Sequence, residues 1–115
     1  MKTLGIIVLT VILSIPGCGI FDSDDKEEIE GRLSFGFEVS AFKPCGVEEI
    51  WWVSGPESLF RQYNETADTE YEEVYARLKG VKSKKGEYGH MGAYQREFTV
   101  SEALVVRKLI SGDCR

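Results

Sequence analysis

Histidine is nearly missing from this sequence: His90 stands alone, beside three cysteines, three prolines and two methionines. With one imidazole and no pattern that ties it to a serine and an acid, no Ser/His/Asp set can be argued, and a Cys/His set would need a free thiol. Basic charge is also short, with 14 Lys and Arg against 19 Asp and Glu and a formal net charge of -5. A nucleic-acid binder needs a concentrated basic face to displace counterions from phosphates, and this balance excludes that class. It equally argues against electrostatic attraction to anionic lipids. No apolar run reaches the roughly 20 residues that a membrane-crossing helix needs. CxxC pairs and EF-hand spacings are absent as well. At 115 residues the chain has room for one domain.

What is present begins at the N-terminus. Met1-Lys2-Thr3 is a short positive start, Leu4 to Ile15 is almost entirely apolar, and Pro16-Gly17-Cys18 follows. A positive start, a short apolar stretch and a small residue at its end form the pattern of a cleaved export signal. A buried core helix is the plain alternative, but nothing downstream offers it a partner. Ile15-Pro16-Gly17-Cys18 resembles the lipobox of bacterial lipoproteins, with Pro16 standing where a small residue is usual. The resemblance implies cleavage before Cys18, diacylation of that cysteine and anchoring in a membrane through it. Gly19 follows the cysteine where a retention signal would have Asp. In a double-membrane bacterium that implies the outer membrane, facing the periplasm.

Residues 1–17 are therefore expected to be a signal peptide, and their removal takes Lys2 and no acid, shifting the charge from -5 to -6. Residues 18–30 are expected to be the lipidated cysteine and an acidic tether, since Phe21 to Glu30 (FDSDDKEEIE) has little to bury. Its aspartates lack the Gly-kinked loop that calcium binding requires. Residues 31–115, roughly 85 of them, remain to fold, near the low end of independent stability.

Lipidation takes Cys18 out of the cysteine count and leaves Cys45 and Cys114 as an even pair. In an oxidising envelope these two are expected to form a disulfide, closing a loop of nearly the whole domain. The chain-entropy argument gives such a bond about 4 kcal/mol. A metal or redox pair is the alternative, although neither cysteine belongs to a CxxC.

Within the folded part, Leu33, Phe35, Phe37, Val39 and Ala41 alternate with Arg32, Ser34, Glu38 and Ser40. That period of two predicts one long strand over 31–42, bent at Gly36. Glu48 to Val53 predicts a second strand whose adjacent Trp51 and Trp52 point to opposite faces. Ser54-Gly55-Pro56 predicts a helix start, with Leu59, Phe60 and Tyr63 on one face and an end near Asn64. Tyr71 to Leu78, Ala93 to Val100 and Leu104 to Ile110 supply further strands, the last two joined by Ser101-Glu102-Ala103. The expected fold is mostly β: a small antiparallel, five- or six-stranded, OB-like barrel with one short helix plugging an end. GFEVSAFKPCG, WWV and VYARLKG resemble small envelope lipoprotein modules with a PCG motif after a long first strand, the C-terminal OB-like domain of NlpE-type lipoproteins being the nearest named family. That resemblance implies fold and compartment. The metal-linked CxxC of that family is absent, so its copper and signalling roles are not carried over.

Candidate chemistry is sparse. His90 and Met91 in a glycine-rich loop could ligate Cu(I), yet two adjacent ligands are too few, and a turn residue with a structural hydrogen bond is the simpler reading. Glu48-Glu49, Glu72-Glu73 and Glu57 have nothing that fixes a catalytic separation. No catalytic residue, metal site or cofactor is expected. The outward tryptophan of Trp51-Trp52, with Tyr75, forms a candidate stacking face of the kind OB-like barrels use for sugars and peptides. A second hydrophobic layer is the alternative. The expectation is a monomeric, non-enzymatic envelope module, held to a membrane by its lipid and binding another envelope protein or a glycan. Handling of a metal or small ligand is the competing class.

Overall fold

A computed structural model of the chain describes residues 25–115. The expected signal, Cys18 and the first part of the tether lie outside these residues. Five strands and one helix follow in order: β1 (Glu27–Gly36), β2 (Val39–Pro44), β3 (Trp51–Ser54), α1 (Glu57–Thr66), β4 (Val74–Lys82) and β5 (Arg96–Lys108). The sheet closes on itself in the order β1-β2-β3-β5-β4. All pairs are antiparallel except β3 with β5, which run parallel. This is the expected OB-like barrel with five strands, one of its pairings being parallel.

The expected long first strand is two strands. Gly36 pairs with Val39 across a tight turn at Phe37 and Glu38, where Glu38 takes a φ of 59°. No Asn-Gly or Asp-Gly marks this turn, which is why alternation ran through it unbroken. It is fixed from outside. The Phe37 amide donates to Glu70 Oε2 at 2.7 Å, the Tyr71 hydroxyl donates to the Phe37 carbonyl at 3.2 Å, and the Tyr71 amide to the Phe35 carbonyl at 3.0 Å. The turn also reverses the parity of the pleat. Leu33 now faces Phe42 and Phe35 faces Ser40, all inward, while Val39 and Ala41 join Ser34 and Arg32 on the outer surface. Phe37, expected inside, is 72% exposed at the turn. Ser40 is tolerated in the interior because its hydroxyl donates to the Val53 carbonyl at 2.6 Å.

Splitting the first strand places α1 after three strands, where an OB-like barrel has it. Pro56 occupies the N-cap position, one residue before the helix, and the helix runs two residues beyond Asn64. Leu59 and Tyr63 are buried and Phe60 packs partly against them. Phe35 meets Phe60 at 4.6 Å and Tyr63 at 5.0 Å between ring centroids, so the helix does plug one end. Phe42, Trp51 and Phe98 fill the middle, with Phe42 stacked on Phe98 at 5.7 Å.

Two further expectations change. The two C-terminal strands are one, β5, whose partner β4 shifts register beside Arg77/Leu78 and Lys79/Gly80. These bulges let a single strand curl around the barrel through a stretch that reads as a turn. The acidic tether also ends early, since β1 starts at Glu27. Glu28 lies opposite Lys79, Glu30 opposite Arg77, and Glu27 pairs with Lys82 at 3.7 Å, while Ile29 packs against the core. An acidic run that reads as solvated becomes a strand because a basic strand lies beside it.

Candidate functional site

The outer surface of β2 is the place where small residues and large ones are set against each other. Ser34, Val39 and Ala41 form a low floor, and the parity change at the hairpin is what puts them there. Tyr71 and Glu73 rise on one side. Ala93 and Tyr94 rise on the other, and Lys43 and Ile50 stand at one end. The resulting groove has a volume of about 410 Å³. Such a size and such a mainly apolar lining with a few polar groups suit a small ligand or a side chain.

Each wall is built by a backbone that comes unusually close to an aromatic ring. Tyr71 packs against Gly36, where a Cβ would overlap its ring. On the far side the loop from residue 83 to 95 folds back over β3. Its two limbs pair at Tyr88 and Tyr94, and Gly86 donates its amide to the Gln95 carbonyl at 2.8 Å. Gly89, at a φ of +70°, sits directly on the Trp52 ring, again with no room for a Cβ. Trp52 meets Tyr94 edge-on at 5.0 Å. The tip of this loop reaches the β1–β2 turn, where His90 Nε2 lies 3.4 Å from Glu38 Oε1. Two loops thus meet at one end of the groove.

At the other end Lys43 lines a second cavity of about 560 Å³, which runs past Arg32 to the Cys45–Cys114 disulfide. Lys43 Nζ is 2.8 Å from Glu73 Oε2, and Arg32 is 3.9 Å from the other oxygen of the same carboxylate. The Arg32 Nε is buried with no hydrogen-bond partner.

The residues singled out in the sequence do not form one face. Trp51 is in the core, 3% exposed, and its indole donates to Glu49 at 2.7 Å. Trp52 does point outward but is roofed by Gly89 and Tyr94. Tyr75 points outward on another part of the barrel, where Arg107 stacks on its ring at 4.0 Å and its hydroxyl donates to Glu30 at 2.7 Å. Burial pushes the Tyr75 hydroxyl up from its ordinary range, and the bond to Glu30 adds to this. The C-terminal turn covers it, pinned by the disulfide and by a two-pronged Arg107–Asp113 pair at 3.0 Å on each prong. One of the three is thus a core residue, one is roofed by the long loop and one is capped by a charged pair. Tyr71 and Tyr94, which do wall the groove, carried no signal beyond membership of expected strands.

The other candidates are likewise placed by the fold. Glu49 accepts hydrogen bonds from the Trp51 indole, Lys85 and Arg96, and these hold its carboxyl down at about 2 against the opposing effect of burial. Glu72 is held low by Lys108, with help from the Asp68 and Thr69 amides. Both are fixed charges that tie elements together. Met91 is 86% exposed beside His90, and the described cysteines are spent in the disulfide. Among the described residues no three His, Cys, Asp or Glu side chains gather to hold a metal, and no helix is long and apolar enough to cross a membrane. Comparison of the chain with protein-family models, with curated proteins and with solved structures finds no match.

Proposed function

We propose that this chain is a lipid-anchored envelope protein whose barrel is a non-enzymatic binding module, taking its ligand in the groove over β2. The groove between Tyr71 and Tyr94 carries the reading: it is open, mainly apolar, floored by small side chains and walled by aromatic ones. It lies on the strand surface and beside the two loops with which OB-like barrels hold oligomeric ligands. The anchor rests on Ile15-Pro16-Gly17-Cys18, and a Cys45–Cys114 disulfide suits an oxidising compartment.

Two measurements test the two halves. The intact mass of the membrane-extracted protein is expected to start at Cys18 and to carry acyl chains. A mass that retains residues 1–17 without lipid would remove the anchor. For the groove, a photo-crosslinking residue placed at Ile50, half-exposed at the groove's end, is expected to give a discrete adduct in cells, and one at Arg61, exposed on α1, is expected to give none. Equal capture from both positions would remove the groove as the binding site.

A further inference from the structure

We infer that the tip where the β1–β2 turn meets the loop from residue 83 to 95 docks an arginine-bearing segment of a second polypeptide, its apolar side chains on Phe37, Tyr71 and Met91 and its guanidinium groups on Glu38, Glu70 and Glu87. Seven large apolar residues are exposed among the described residues, and three of them gather at this tip: Phe37 at 72%, Tyr71 at 47% and Met91 at 86%. The Tyr71 hydroxyl donates to the Phe37 carbonyl, and the Glu38–His90 contact joins the immediate neighbours of Phe37 and Met91. A cluster of such side chains standing in water marks an interaction surface. Backbone strain points the same way. Glu38, Tyr71 and Met91 have φ values of 59°, 71° and 60°, a left-handed region that favours glycine. The strain at Tyr71 is offset by hydrogen bonds with Ser34, Phe35 and Phe37. Met91 holds the same conformation with its side chain almost wholly in solvent, where nothing inside the molecule calls for a methionine.

Charge selects the occupant. Glu70 accepts from the Phe37 amide, Glu38 faces His90, and Glu87 lies beside Gly92, two residues from His90. Among the described residues no lysine or arginine pairs with any of the three. Cations on the adjoining segments are engaged elsewhere, Lys43 with Glu73, Lys85 with Glu49, and Lys108 with Asp68 and Glu72. Lys84 stands at the base of the loop, next to Ser83, whose amide meets the Glu97 carbonyl. Arginine suits the tip better than lysine, since its planar guanidinium stacks on aromatic faces and takes a carboxylate with two hydrogen bonds. A second copy of this chain would set three acids against three, and an anionic bilayer is opposed by the same charges. Glu27, where the tether joins the barrel, begins β1, and Phe37 follows its other end, roughly 30 Å of strand away. With the proposed lipid anchor, the tip is therefore carried away from the membrane that holds the chain. The tip adjoins the groove over β2 but does not depend on it.

Nuclear magnetic resonance titration of the full chain in phosphatidylcholine nanodiscs tests this with three peptides: acetyl-Leu-Arg-Leu-Arg-Leu-amide and its glutamine and glutamate counterparts. The arginine peptide is expected to shift the amide signals of residues 36–38, 70–71 and 87–92. It is expected to bind at least roughly tenfold more tightly than the glutamine peptide, and to lose that advantage in roughly 0.5 M salt. Phe37→Ser and Met91→Gly are each expected to weaken it by roughly threefold or more while keeping the urea midpoint, since both side chains stand in solvent and glycine suits the Met91 backbone. Equal binding of the arginine and glutamine peptides, shifts confined to the groove, or no shift up to roughly 10 mM would each overturn the inference. A nitroxide-headgroup lipid that broadens the signals of residues 37 and 91 would overturn it in favour of the chain's own bilayer. Tip shifts produced by raising the protein concentration alone would do so in favour of a second copy. The adduct from position 50 and the intact mass report separately on the groove and the anchor, so failure here leaves both standing.

Discussion

Glu49 shows how a single residue can tie together parts of the barrel that are distant in sequence. It joins the approach to β3 with Lys85 in the long loop and Arg96 at the start of β5, and the Trp51 indole completes the set. Its carboxyl is held at about 2 instead of the ordinary 4.5, so between those values the unfolded chain binds a proton that the folded chain does not. The stabilisation is complete above about 4.5 and fades as the pH falls toward 2. Glu49→Gln is therefore expected to flatten that part of the curve of urea midpoint against pH, and to leave its shape above about pH 5 unchanged. Little of this was legible in the sequence. Glu48-Glu49 reads as a pair of solvated acids until the fold brings two cations and an indole to one of them. The cysteine pair was legible, because removing Cys18 from the count left a single pairing.

Among the elements, regular alternation located strands well and turns poorly. Val74, Ala76 and Leu78 face inward as their spacing predicts, and Leu59 and Tyr63 are the buried face of α1. The β1–β2 turn escaped because no turn residues mark it and its conformation is imposed by Glu70 and Tyr71, more than thirty positions away. That miss inverted the sidedness of β2, and it hid the small-residue floor on which the groove depends. The loop over β3 is the element whose rigidity the groove needs most. Its glycine at 89 combines a left-handed backbone with contact against Trp52, so Gly89→Ala is strained in both respects. We expect this variant to lose about 1–3 kcal/mol of stability. Amide exchange is expected to rise across residues 86–94 while the β1–β4 ladder stays protected, and uniform loss of protection would show instead that the loop and barrel unfold as one unit.

For the molecule as a whole, the barrel is a small core held by two kinds of closure. The sheet closes by pairing β1 with β4 and β3 with β5, and the disulfide ties the end of β2 to the turn after β5 across 69 positions. Replacing Cys45 and Cys114 together by serine is expected to cost about 4 kcal/mol, measured by chemical unfolding. It is also expected to free the cover over Tyr75, seen as faster amide exchange across residues 107–115 while the β1–β2 ladder stays protected. The fold class was readable because many short alternating segments without long helices leave few other solutions. The strand count was not, since bulges in the β4–β5 ladder keep one strand continuous through a sequence that resembles a turn.

The parallel pairing of β3 with β5 has a consequence for how the chain is made. Everything from β1 to β4 leaves a ribosome or a translocation channel before β5 does, and until β5 arrives β3 and β4 each have an unpaired edge. A nascent chain at that stage is an open, curved sheet with its aromatic interior exposed, the kind of species that recruits chaperones or aggregates. Thirteen residues, Arg96–Lys108, cover both edges. Synthesis that stops short of them should therefore yield material that is sticky and quickly degraded, not a slightly weakened barrel.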